Sequence, residues 1–291
     1  MLKQQSNWKR TLFIICALTP AMLISLGIVI YPIINTVIQS FQDPETGAFT
    51  IDNYIYLFTN KVSANAIWYT LVVSVLTVIF SILIAYLLAL FLRFSDSPVS
   101  KAISRLYLIP RFVPGLVATY AMMTIVRDSG LLYRITLLLP ESSALYGWKP
   151  GLLYNMRGIL TMNLWFNIPF ATMIIVAALS GISESLVESA RDVGANKIRV
   201  FLKIILPLSY KDVMIAMTFV FMSNISSFTT PYLIGPNFPQ MLGVYLRNQF
   251  SNRNYELAAA TSVIIFAFSS VSAIIYLYTN MKENAWQGNE Q

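Results

Sequence analysis

Histidine is absent from these 291 residues, and cysteine occurs once, as Cys16 in an apolar run. Disulfides within the chain are thereby excluded. A thiolate or imidazole metal site takes about four clustered ligands, and there is almost nothing to build one from. Charge is scarce as well: 11% of residues are Asp, Glu, Lys or Arg, against roughly 25% in soluble domains. No G-x-x-x-x-G-K-S/T phosphate loop occurs, so the usual cradle for ATP is missing. Neither an internal repeat nor a low-complexity segment is evident, and no hydrophilic stretch is as large as a domain. What is abundant is apolar: 56% of residues are hydrophobic, which places the chain in the membrane class. Its net charge of +7 reads as loops beside an anionic membrane face. Nucleic acid is a poor partner, because the basic residues lie in short breaks without interleaved aromatics.

A bilayer core about 30 Å thick takes about 20 apolar helical residues. Six uncharged or nearly uncharged runs meet that length, at about 11–38, 66–92, 106–126, 159–181, 213–234 and 257–279. The fold class is therefore all-α, a polytopic membrane protein forming one domain over residues 1–291. The first run follows Lys9 and Arg10; it is too long for a signal-peptide core and reads as a retained anchor. With the amino terminus inside, the inner segments 1–10, 93–105, 182–212 and 280–291 hold twelve Lys or Arg, and the outer segments 39–65, 127–158 and 236–254 hold seven. That bias predicts both termini on the cytoplasmic side. Leu131 to Leu139 is apolar but too short to span and fits the interface. Trp8, Tyr31, Tyr107, Trp148 and Trp286 read as interfacial anchors.

The inner segment 182–212 is charged and broken by glycine. Ser185 and Glu188 have the spacing of a capping box, predicting a helix start. Gly194 supplies a residue able to take positive φ at the helix end, and a second helix is predicted from about Asn196 to Leu206, interrupted by Pro207. Glu184, Glu188 and Asp192 stack like charges on one face, which costs a few tenths of a kcal/mol per pair. The helix dipole and an Arg191–Glu188 pair offset this on a solvated surface helix. Beside that face Val187, Ala190 and Gly194 form a strip of small residues that lets another protein approach closely. Phe201, Ile204, Ile205 and Leu208 recur at helical spacing and should pack onto the bundle, leaving Arg199 and Lys203 outside.

The pattern Glu188-Ser189-Ala190, Gly194-Ala195, Phe201, Ile204, Leu206-Pro207 resembles the EAA loop of permease subunits in binding-protein-dependent type I ABC importers. Ser189 stands where that loop has alanine. The match covers about twenty residues between the fourth and fifth runs, and the six-run topology extends it over most of the chain. The resemblance implies a coupling element that docks on a cytoplasmic ABC ATPase dimer, with Glu188, Ala190, Arg191, Asp192, Gly194, Ala195, Phe201, Ile204, Leu206 and Pro207 as its residues. It also implies a bacterial inner-membrane location, a second permease subunit, identical or related, and an extracytoplasmic solute-binding protein. ATP and magnesium would be bound by the partner, so this chain would be neither an enzyme nor a cofactor carrier. Asp192-Val193 before Gly194 is similar to polyamine, ferric iron, thiamine and phosphonate permeases, where sugar permeases place an Asp directly before the Gly. Residues 229–250 are similar to the polyamine and phosphonate group.

Polar residues within spans tend to face a bundle interior and nominate a pathway. Asn163 and Asn167 lie in the fourth run; Asn224, Ser227 and Thr230 lie in the fifth, before Pro231. Interhelical hydrogen bonding explains them as readily as substrate contact. Arg111 sits between Pro110 and Pro114, where snorkelling or an anion or gate contact would account for it. The implied function is the permease of an importer for a polyamine, phosphonate or similar small charged solute. A sugar permease is the alternative, and an ion-coupled secondary carrier is disfavoured by the lack of carboxylate pairs in mid-span.

Overall fold

In the computed structural model the backbone of residues 2–287 is described, with side chains for residue 8 and residues 10–278. The side chains of Lys9 and Trp286 lie outside the described residues. The helices are α1 (Leu2–Ile24), α2 (Tyr31–Ser40), α3 (Asp52–Thr59), α4 (Lys61–Phe94), α5 (Pro98–Leu106), α6 (Ile109–Phe112), α7 (Gly115–Val126) and α8 (Leu131–Thr136). They continue as α9 (Met156–Ser180), α10 (Glu184–Asp192), α11 (Lys197–Val200), α12 (Leu206–Ile225), α13 (Thr229–Ile234), α14 (Leu242–Ser251) and α15 (Tyr255–Gln287). Two π-helical turns, Ser25–Ile30 and Phe201–Ile205, join α1 to α2 and α11 to α12. The chain is all-helical, as the apolar runs require.

Five stretches are long and apolar enough to cross a membrane: Arg10–Ser40, Lys61–Phe94, Met156–Ser180, Lys197–Ile225 and Tyr255–Tyr278. Pro98–Phe112 and Gly115–Thr136 meet the requirement only as a pair, bent by 106° between them, which would make a sixth crossing if the pair is one span. The predicted third run is thus not one continuous helix. The cause is local: Pro110 and Pro114 bracket Arg111, and each removes a backbone donor and disfavours helix at the residue before it. The fifth differs too. It begins sixteen residues earlier than the predicted 213, at Lys197, and α12 ends at Ile225, leaving Thr229–Ile234 as a separate short helix.

Contacts divide the chain into two compact units. In the first, residues 1–59 and 246–264, the apolar side chains of the Arg10–Ser40 helix are uncovered. Its loop is closed by Phe41 stacked on Phe49 and by a 2.7 Å bond between the Ser40 and Tyr54 hydroxyls. In the second, residues 60–245 and 265–291, α4 packs most extensively on α9, and α12 packs on both. The buried face of α4 carries Ala66, Thr70, Ser74, Thr77, Ser81, Ala85 and Ala89, about one per turn. Small side chains let backbones approach closely, which substitutes for a hydrophobic driving force in lipid. Thr70 and Thr77 donate back to carbonyls of their own helix at 2.7 and 2.8 Å, whereas the buried hydroxyls of Ser74 and Ser81 have no partner among the described residues.

Candidate functional site

The elbow between α9 and α12 is built from α10, a tight turn and α11. The N-cap of α10 lies two residues before the predicted one: it is Ser183, and its side chain accepts no capping bond. Ser185 donates to the Ser183 hydroxyl at 3.4 Å, so the predicted box with Glu188 does not form. The start is fixed from outside the helix. Arg93, in the last turn of α4, places its Nη1 2.7 Å from Glu184 Oε1 and donates to the carbonyls of Leu179 and Ile182 at 3.3 Å. Its guanidinium also covers the Phe94 ring, 5.3 Å from the centroid. Glu184 at the amino end of α10 further suits the helix dipole.

At the other end Gly194 takes φ +84°. Its amide donates to the Arg191 carbonyl at 2.8 Å, and the Ala195 amide to the Ala190 carbonyl at 3.0 Å. These are the two bonds of a Schellman closure, with the left-handed residue supplied by glycine. Asn196 then caps α11 by accepting from the Arg199 amide at 2.8 Å. Pro207 does not end this second helix. The π turn widens the spiral just before it, Leu206 donating to Phe201 five residues back, and a helix start tolerates a missing proline donor. The elbow therefore passes without a break into the fifth span.

Val187 is buried, and Ala190 and Ala195 pack with it against the core of the bundle. Two members of the strip predicted to receive another protein, Val187 and Ala190, are thus turned inward as the apolar edge of an otherwise polar helix, while Gly194 stays outside. Phe201 meets Tyr86 edge-on at 5.6 Å, and Ile204 and Ile205 pack beside it. Leu208 departs from expectation and is 55% exposed, while Leu206 and Pro207 also lie at the surface. Arg191 borders an apolar groove with Phe94 and Phe201 and makes no pair with Glu188; the elbow's ion pair is Arg93–Glu184. Glu188, Arg191, Asp192 and Gly194 stand outside, together with Val193, which is 85% exposed. Sequence reasoning missed Val193 and Arg93. The signal for Val193 was an apolar residue at the tip of a charged turn.

The nominated path residues come together in part. Asn163 reaches Thr77 on α4 at 3.5 Å, and Asn167 donates to the Asn163 carbonyl at 2.7 Å. Ser223 of α12 donates to Asn167 Oδ1 at 3.4 Å, and Asn224 donates to the Val220 carbonyl at 2.6 Å. All three asparagines are buried; Asn163 links α9 to α4 and Asn167 links α9 to α12, while Asn224 bonds within its own helix. Ser227 lies in the break after α12, and buried Thr230 in α13. There Gly243 is pressed against the Ser227 carbonyl, leaving no room for a Cβ, while Leu242 donates to Thr70 at 2.7 Å.

The fourth and fifth spans are thus joined by a glycine-closed elbow whose charged side stands outside the helical bundle. Residues 81–282 match the family model described as the binding-protein-dependent transport system inner membrane component. The spermidine/putrescine transport system permease protein PotB of Escherichia coli (strain K12) is 22% identical over 78% of this chain and 82% of its own. The sulfoquinovosyl glycerol transport system permease protein SmoG of Agrobacterium fabrum is 24% identical over 94% of both. Among solved structures, a bacterial ABC transporter importing the acidic polysaccharide alginate superposes with a TM-score of 0.79 at 20% identity, over 97% of this chain and 99% of that one. The MetNI methionine ABC transporter gives 0.54 at 14% identity, over 75% and 95%. This chain belongs to the family of inner-membrane permease components of binding-protein-dependent ABC importers, with the type I fold.

Proposed function

We propose that this chain is the permease half of an importer in which the α10–α11 elbow seats on a separate cytoplasmic ATPase dimer. ATP and magnesium are bound there, so hydrolysis belongs to the partner. A second permease subunit completes the translocation path, an external binding protein delivers the solute, and both termini of this chain face the cytoplasm. Glu188, Arg191, Asp192, Gly194 and Val193 form the contacting surface. Ala190, Ala195, Phe201, Ile204, Leu206 and Pro207 carry the motion into the fifth span.

The observation that carries this reading is the elbow's construction. A charged, apolar-tipped surface stands outside the bundle, while the other side of the same short helices is fixed to α4 by Arg93 and to the core by Val187. A rigid body of that kind transmits a displacement where a flexible loop would absorb it.

The cargo is a small polar or charged solute. The loop resemblance favours polyamine or phosphonate, and the full-length likeness to a sulfoquinovosyl glycerol permease favours a sugar derivative. The test uses the complete importer in vesicles. Gly194→Trp and Val193→Lys should leave the chain inserted and abolish stimulation of ATP hydrolysis by loaded binding protein. Unchanged stimulation in both variants would refute the assignment.

A further inference from the structure

Arg111 lies in α6, just before the bend that separates it from α7, and its guanidinium sits over the Phe170 ring, 4.8 Å from the centroid. Phe170 belongs to α9, about 21 Å along the helix from Met156 and about 15 Å from Ser180 at 1.5 Å per residue. The charge is thus held near the middle of the fourth span. A snorkelling arginine would extend to the lipid headgroups instead. Arginine is a permanent cation, and among the described residues no carboxylate lies within ion-pair distance of it.

Two contacts between α9 and α12 lie beside it. Phe170 meets Phe219 of α12 edge-on at 6.1 Å. One turn away on each helix, Asn167 and Ser223 are joined at 3.4 Å. Arg111, Phe219 and Ser223 are all exposed, so this patch faces away from the chain's own core. A cation at mid-span is costly unless it faces a polar passage or finds an anion. Five N–H donors in a planar fork match a carboxylate, phosphonate or sulfonate in a bidentate way. Phe170 holds the fork by its face and leaves the N–H edges available.

We propose that Arg111 contacts the cargo directly and that the solute conducted by this permease is anionic. The inference rests on the importer reading and narrows it: a diamine would meet like charge at the middle of the path, whereas an acidic solute would meet its counter-ion. Because the guanidinium sits against the middle of α9, away from both of its ends, a lipid headgroup is the wrong occupant. A carboxylate on the second permease subunit is the competing one.

The decisive measurement compares, by mass spectrometry, the solutes accumulated by vesicles bearing the complete importer with and without ATP. They are supplied with a mixture of methylphosphonate, glucuronate, putrescine and maltose together with a total extract of small metabolites. ATP-dependent accumulation of an anion is expected. Arg111→Met should lower its uptake at limiting concentration by at least about tenfold, the size of one lost charge-assisted hydrogen bond. Arg111→Lys should recover part of it, and the importer should stay assembled in both variants.

Three results would overturn the proposal: accumulation of only neutral or cationic solutes, wild-type anion uptake in Arg111→Met, or dissociation of the permease pair in that variant. The importer reading fails separately, by ATP-independent uptake or by normal ATPase stimulation in Gly194→Trp.

Discussion

Replacing Arg93 by Met removes the guanidinium and keeps a stem able to cover Phe94. Its consequences can be worked from the contacts it makes. The ion pair is open to solvent on one side, Arg93 being 19% and Glu184 68% exposed, so it contributes at most about 1 kcal/mol. The carbonyls of Leu179 and Ile182, at the end of α9 and just past it, each lose a 3.3 Å donor. At that length each adds about half a typical bond, together about 1 kcal/mol. Arg93→Met should therefore weaken the anchorage of α10 by about 2 kcal/mol, and Glu184→Gln by less than about 1 kcal/mol, since the two carbonyl bonds survive. Hydrogen exchange of the segment 182–196 reads this directly, because those amides open locally. Exchange should rise about thirtyfold in the arginine variant and no more than about fivefold in the glutamate variant. Equal effects, or an arginine effect below about threefold, would refute the view that Arg93 braces the elbow to the second span.

Gly243→Ala should destabilise the segment around α13, because the new Cβ would lie 2.5 Å from the Ser227 carbonyl and 3.1 Å from its carbon, backbone atoms held from both sides. A loss of about 1–3 kcal/mol is expected for such overpacking, seen as a lower melting temperature of the purified chain; an unchanged melting temperature would contradict the close approach. In the 41–50 loop the Asp43 carboxylate accepts from the Thr46 amide and hydroxyl and from the Glu45 amide, which lowers its pKa below 3.8. Because the folded value is depressed, the turn's contribution is complete above the unfolded value and is lost as pH falls through the folded one. Thr46 amide exchange should accelerate only in strong acid and should lose that dependence in Asp43→Asn.

The spans were legible because lipid imposes one requirement, an apolar run of sufficient length, and the runs at 66–92, 159–181 and 257–279 each correspond to one continuous helix. The third and fifth were misjudged where composition and backbone chemistry part company. Around Pro110 and Pro114 the residues remain apolar enough to span, but missing donors and forbidden helical angles bend the chain by 106°. At Pro207 the opposite error arose: a proline at a helix start, preceded by a π turn, is accommodated without a stop. In the elbow, Gly194 could be read because one backbone conformation was needed. Ser185 was misread because the start of α10 is set by Arg93, ninety-one residues away from Glu184 in sequence. Contacts of that separation leave no periodic trace in a single chain.

The same distinction explains which polar residues in the spans have work left for a cargo. Asn163 reaches Thr77 on α4 and Asn167 accepts from Ser223 on α12, so replacing either removes helix packing along with any chemistry, while Asn224 donates within α12. Arg111 is different: it is held by the face of Phe170, which engages the charge without using any of its donors. A cation whose position is fixed while its hydrogen-bonding edge stays free is prepared for a transient partner, which a conduit requires, since a solute must bind and then leave. On this proposal the helix packing and the recognition chemistry fall on different residues: Asn163 and Asn167 tie α9 to its neighbours, and Arg111 is left for the solute.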